Sequence, residues 1–174
     1  NLYCVGADGN EIWRLPLGHA GESFDLISSP TLVDLDGNAS TLEVVIGSGI
    51  SWVYGDLNIV SHDGRFLVRF PVEGQVNCPP LVVDADGDGR KEIYFGPGHL
   101  SYSGPPYPFY CLNTGFTLNG VTLTQKWKVS LDTGLMGSMP AAADFDGDGD
   151  LEIVVSESGI PNMDTGGKRV YCFD

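Results

Sequence analysis

Asp84-Ala-Asp86-Gly-Asp88-Gly-Arg90-Lys-Glu92 places carboxylates at alternate positions of a tight, glycine-containing loop. A near copy follows at Asp144-Phe-Asp146-Gly-Asp148-Gly-Asp150-Leu-Glu152, and a looser one precedes both at Asp34-Leu-Asp36-Gly-Asn38-Ala-Ser40-Thr-Leu-Glu43. Carboxylates crowded in this way repel one another unless a hard divalent cation sits among them. Calcium suits the pattern because it takes about six to eight oxygens in irregular geometry, whereas magnesium prefers fewer carboxylates and more water. In the second copy the expected ligands are the side chains of Asp84, Asp86 and Asp88, the carbonyl of Arg90, and Glu92 as the closing carboxylate. The third copy supplies Asp144, Asp146, Asp148, Asp150 and Glu152 in the same roles. Gly89 allows the sharp turn that a side chain would obstruct.

The ligand order is that of the start of an EF-hand loop, but the flanks differ. Short apolar runs precede the loops (Thr31-Leu-Val33, Leu81-Val-Val83, Ala141-Ala-Ala143) and others follow them (Val44-Val-Ile46, Ile93-Tyr-Phe95, Ile153-Val-Val155). They are too short for EF-hand helices and rich in β-formers, so each loop is expected to join two strands. A solvated, metal-free Asp-Gly hairpin is the alternative for any one loop, and the recurrence favours the cation. In the first copy one inserted residue makes Glu43 tenth rather than ninth. Asp34, Asp36, Asn38, Ser40 and Glu43 therefore form the weaker candidate, giving two calcium sites and a candidate third. Asn38-Ala-Ser40 is also a glycosylation sequon, which conflicts with a calcium ligand at Asn38.

The loop aspartates recur after 50 and then 60 residues, a spacing that belongs to a propeller or similar array. Between the loops a strand, turn, strand pattern returns, with an Asp-Gly turn in Leu2-Tyr-Cys-Val5 to Glu11-Ile-Trp-Arg-Leu15 and Leu57-Asn-Ile-Val60 to Phe66-Leu-Val-Arg-Phe70, and a longer turn through Asn119-Gly120 in Phe109-Tyr-Cys-Leu112 to Gln125-Lys-Trp-Lys-Val129. Its first half ends the chain as Val170-Tyr-Cys-Phe173. Pro30, Pro80 and Pro140 stand four residues before each first loop aspartate, where proline is tolerated at the start of a strand. The fold class expected is all-β, with propeller blades of four antiparallel strands. Residues 1–17 form a strand pair of a preceding or neighbouring blade, 28–72 and 79–131 form blades, and 139–174 form an incomplete blade.

These units resemble the FG-GAP or VCBS type of repeat, the calcium-binding blades of integrin α-subunit heads and of many secreted bacterial proteins. The resemblance runs from about Ser28 to the end and rests on the doubled DxDGDGxxE pattern. The opening Leu2-Tyr-Cys-Val5 to Trp13 stretch also resembles quinoprotein-type blades, without a quinone site. A closed propeller needs about four blades or more, so the chain is expected to be a window of a longer one or to associate with copies of itself. In the second case Glu11–Leu15 would complete a blade of a neighbouring molecule, because unpaired strand edges recruit strands.

The formal charge of −14 argues against nucleic acid and anionic membrane surfaces, and no run of eighteen apolar residues is present to insert into a membrane. The chain begins at Asn1 without a signal peptide, which suggests a mature or excised piece. Cys4, Cys78, Cys111 and Cys172 contain no CxxC pair, so zinc is not expected and disulfide pairings stay open. Calcium loops of modest affinity point to an extracellular or cell-surface address.

In a four-stranded blade the metal loops and Asp-Gly turns share one face of the disc. Loops 48–56, 97–108 and 157–167 lie on the other. They carry Trp52, Tyr54, His99, Tyr102 and Tyr107, of which Trp52, Tyr54, Tyr102 and Tyr107 are candidates for gripping a carbohydrate or protein ligand. No catalytic constellation stands out: His19, His62 and His99 lack motif neighbours, and Glu157 with Asp164 is only an acid pair on one loop. The function expected is a non-catalytic, calcium-stabilised extracellular propeller module for adhesion, ligand binding or assembly. The alternatives are the propeller part of a polysaccharide-degrading enzyme of the rhamnogalacturonan-lyase kind, and a structural subunit of a surface polymer joined by strand exchange.

Overall fold

The computed structural model describes residues 1–18, 28–50, 54–98, 107–117, 120–135, 137–158 and 169–174. These residues form thirteen strands in four antiparallel sheets, with no helix among them. Among the described residues no helix is long and apolar enough to cross a membrane.

The first sheet is the hairpin β1 (Leu2–Val5) and β2 (Glu11–Leu15), in which Cys4 stands opposite Trp13. The second is a meander of β3 (Thr31–Val33), β4 (Glu43–Ile50), β5 (Tyr54–Val60) and β6 (Phe66–Glu73). The third repeats it with β7 (Leu81–Val83), β8 (Glu92–Phe95), β9 (Tyr107–Thr117) and β10 (Gly120–Leu131). The fourth has three strands, β11 (Ala141–Ala143), β12 (Glu152–Ser156) and β13 (Val170–Phe173). Each acidic loop joins the first two strands of its sheet.

Burial explains why the runs behind the loops are almost wholly apolar. The second strand of each unit is covered on both sides by neighbouring layers, so β4 and β8 are buried at nearly every position. The outermost β10 shows a mostly alternating pattern instead. One continuous core runs through the three later sheets, from Leu57 and Ile59 through Phe95 and Phe109 to Ile153 and Val155. Aromatic rings bridge the layers. Phe70 meets Phe95 at 6.5 Å and Tyr110 at 6.1 Å, and Phe109 stacks on Phe173 at 5.6 Å. The first hairpin docks on the next sheet through a smaller cluster, in which Leu2, Trp13 and Leu15 cover Leu17, Val44, Ile46 and Val60. Trp13 also donates from Nε1 to the carbonyl of His62 at 2.8 Å. Antiparallel sheets layered in chain order are the architecture of propeller blades, here as a partial propeller with no closed barrel among the described residues.

Two strands are longer than the sequence suggests. β9 and β10 pair from Tyr107 opposite Leu131 out to Thr117 opposite Gly120. β8 ends its pairing with β9 at Glu92 opposite Asn113. The tip of the β9–β10 hairpin therefore projects past the sheet on the side of the acidic loops.

Candidate functional site: three acidic loops on one face

Each loop draws its first, second and last acids together. Asp34, Asp36 and Glu43 form one cluster, Asp84, Asp86 and Glu92 a second, and Asp144, Asp146 and Glu152 a third, with the ligand-competent oxygens of each within 4.8 Å of one another. The closing glutamate is the anchor. It starts the second strand of the sheet, and its Oε2 accepts a backbone N–H from the loop: Leu35 at 2.9 Å, Ala85 at 3.0 Å and Phe145 at 2.6 Å. Glu43, Glu92 and Glu152 are only 3%, 2% and 6% exposed, so three carboxylates are held inside the protein by the same device. Burial pushes the carboxyls of Glu43 and Glu92 above the ordinary glutamate value, against the pull of those backbone N–H groups.

The first aspartate turns the loop. Asp34 Oδ1 accepts from Gly37, Asp84 Oδ2 from Gly89 and Asp144 Oδ1 from Gly147, at 2.7, 2.9 and 2.6 Å. Gly37, Gly89 and Gly147 have φ of 81°, 86° and 84°, a region that side chains rarely adopt. The next side chains brace their own turns: Asn38 Oδ1 accepts from Ser40, Asp88 Oδ1 from Arg90 and Asp148 Oδ1 from Asp150. Asp88, Asp148 and Asn38 thus lie in the loops beside the three-acid clusters, and Arg90, Asp150 and Ser40 follow as the residues whose N–H groups they hold.

Whether these loops suit a cation is tested by the oxygens left over. Asp84 Oδ1 and Glu152 Oε1 are buried with no hydrogen-bond partner among the described residues, which is costly for a carboxylate oxygen unless something positive faces it. The donor set is all oxygen, as a hard cation requires. The inserted residue of the first loop does not move Glu43 out of place. The extra length is taken up in a turn in which Thr41 N–H donates to Asn38 O at 2.9 Å, and Glu43 keeps its bond to Leu35. The first loop, the weaker candidate by its spacing, thus brings the same three acids together as the other two.

A cation that the sequence does not point to stands at the second loop. Lys126, on β10, places its ammonium 2.6 Å from Asp86 Oδ2 and holds that carboxyl below the ordinary aspartate range. The pair is 40 residues apart in sequence, and only the β9–β10 register brings it together.

Other candidates fall elsewhere. Tyr54 opens β5 and is 65% exposed, while Trp52, Tyr102, His19, His99 and Asp164 lie outside the described residues. Tyr107, expected on an exposed loop, is instead the first residue of β9 and only 5% exposed. The strand starts before Pro108 rather than after it, which turns the ring into the core. Glu157 is a structural clamp: its Oε1 accepts from the N–H groups of Asp132 and Thr133 and from the Tyr171 hydroxyl. The four cysteines are free thiols, and burial pushes Cys78 and Cys111 up to about 11.

Residues 84–155, from the first aspartate of the second loop to the strand behind the third, match the FG-GAP-like repeat family. That stretch is similar to an FG-GAP-like repeat. The matched stretch holds two of the acidic loops, and the first acidic loop, at residues 34–43, repeats their clustering of acids outside it. Comparison with curated proteins gives no match.

Proposed function

We propose that this chain is a calcium-stabilised β-propeller module that works outside the cell, presenting a rigid disc to a protein or carbohydrate ligand. The observation that carries the reading is the threefold recurrence of a buried glutamate closing a carboxylate cluster, with buried oxygens left unpartnered in the second and third copies. Asp34, Asp36 and Glu43, Asp84, Asp86 and Glu92, and Asp144, Asp146 and Glu152 would hold the ions. When bound, calcium would supply charge neutralisation and rigidity. The chain's own part is to aim the carboxylates: the glutamate fixes the loop to the strand, and the first aspartate fixes the turn. Calcium modules that work outside cells are tuned to weak, roughly millimolar affinity, and short surface loops of this kind suit that range, which supports the extracellular address.

Thermal unfolding of the full chain, stripped with EDTA and then titrated with calcium, tests the reading. At calcium a hundredfold above the dissociation constant, each site adds about 2.7 kcal/mol, so a rise in Tm of several degrees is expected. An unchanged Tm would refute the calcium sites.

A further inference from the structure

On the face that carries the acidic loops, a cleft of about 440 Å³ opens between the first loop and the second. One wall is the first loop with Asp34 and Asp36. The other is Arg90 and Lys91, backed by the projecting tip of the β9–β10 hairpin with Thr114, Phe116 and Thr122. The hairpin is fixed there by Thr114, whose hydroxyl donates to the carbonyl of Lys91 at 2.6 Å.

The charges in this cleft are unusual for the molecule. Arg14, Arg65, Arg69, Lys126 and Arg169 each pair with a carboxylate, and Lys128 lies over the Tyr110 ring at 5.6 Å. Among the described residues, Arg90 and Lys91 have no such partner, although the chain carries a net charge of −14. Two adjacent cations left unpaired in so acidic a protein mark a place for an external anion. Phe116 stands 41% exposed on the same wall. An aromatic face next to adjacent cations suits a sugar ring that carries an acidic group. The ring's CH face would stack on Phe116, and its anionic group would meet Arg90 and Lys91.

We infer that this inter-blade cleft is a binding site for an anionic saccharide, bearing carboxylate or sulfate. The inference deepens the ligand-binding reading above and rests on it at one point: a cation held by the first loop would offset Asp34 and Asp36, which otherwise repel the ligand.

The test is calorimetry on the full chain in calcium excess with four probes: an oligogalacturonate, a sulfated dextran oligosaccharide, a neutral dextran oligosaccharide of equal length, and a polyglutamate peptide. At least one acidic saccharide should bind, with the neutral sugar and the peptide weaker by about tenfold or more. The two acidic arms tell carboxylate from sulfate. Arg90→Ala with Lys91→Ala, and separately Phe116→Ala, should each weaken binding by about tenfold, while Arg14→Ala should not. The Arg90→Ala/Lys91→Ala chain should keep its calcium-dependent Tm shift, since the carbonyl at position 90 remains. Binding of neither acidic saccharide, equal binding of polyglutamate, or an unchanged affinity in the double variant would overturn the site while leaving the calcium reading intact. A wild-type chain with no calcium shift that still binds the saccharide would overturn the calcium reading alone.

Discussion

At the scale of single residues, the glutamates that close the loops carry two opposed demands. Glu92 must accept the Ala85 N–H, which any carboxyl or amide oxygen can do, and it must remain a buried anion, which is unfavourable without a cation. Glu92→Gln separates them. It keeps an acceptor for Ala85 and removes the charge, so the calcium-free protein should keep or raise its Tm while losing part of its calcium-induced rise. Glu92→Ala should cost about 1–3 kcal/mol in either state by stranding the Ala85 N–H. The pH dependence follows with the same logic. Burial raises the folded carboxyls of Glu43 and Glu92 above the ordinary value of 4.5, so their favourable contribution is complete below that value and is lost as pH rises through the folded pKa. Calcium-free protein should therefore lose stability on going from pH 4.5 to neutrality, and Glu43→Gln with Glu92→Gln should flatten that slope. A calcium-free melting profile that rises over the same range would contradict this account. Lys126 acts beside these groups as a local counter-charge, easing the repulsion in the second loop before any calcium arrives.

At the scale of elements, the sheets are joined by links that run against bare backbone. Gly55 on β5 faces the link after β6, and an added Cβ would stand 2.2 Å from the carbonyl oxygen of Gly74 and 2.8 Å from that of Ser48. Gly47 on β4 meets the same link, with Val76 Cγ1 at 2.4 Å from a notional Cβ. Gly55→Ala should consequently destabilise the chain by about 1–3 kcal/mol in urea unfolding, because both oxygens belong to the backbone and one strand or the link must move. Gly37→Ala is a useful contrast: nothing lies within 4 Å of its Cβ, and only the φ of 81° is unfavourable. The spacing of the strands is legible in the sequence because aspartates, glycines and apolar runs recur together, and each of those residue types has a local reason to stand where it does. The full length of β9 and β10 is not. Residues 113–117 and 120–124 mix Thr, Gly, Asn and apolar residues with no strong β-pattern of their own, and they extend as strands because they pair with each other across the hairpin. Tyr107 reads as a loop aromatic for a related reason. It stands in Gly104-Pro-Pro-Tyr107-Pro108, a run dense in turn-forming residues, and only its pairing with Leu131 places it in the core.

At the scale of the whole molecule, the acidic loops are readable one by one, while their relation to each other is not. Sequence spacing makes the first loop the weaker candidate, since an insertion between Asn38 and Glu43 puts the closing acid tenth rather than ninth. A short turn at Asn38–Thr41 absorbs that residue, and the strand behind it restores the glutamate to its place because β4 is held on both sides by neighbouring layers. The loops are also coupled through the sheets that carry them. Leu151 N–H in the third loop donates to Ala85 O in the second at 2.8 Å, while the Thr31 hydroxyl at the start of β3 donates to Pro80 O at 2.6 Å and ties the first two sheets at the strand ends away from the loops. The second and third loops are therefore joined directly, and fixing one bears on the other. Three equivalent clusters predict a calcium stoichiometry of three for the full chain, to be counted by calorimetry or by metal analysis after gel filtration. Asp34→Asn with Glu43→Gln should reduce the count to two without unfolding the protein, because the amides keep the hydrogen bonds to Gly37 and Leu35. A wild-type count of two, unchanged in that variant, would mean that the first loop keeps the geometry of a cation site without its affinity, and that the turn at Asn38–Thr41 withholds a ligand that the other loops supply.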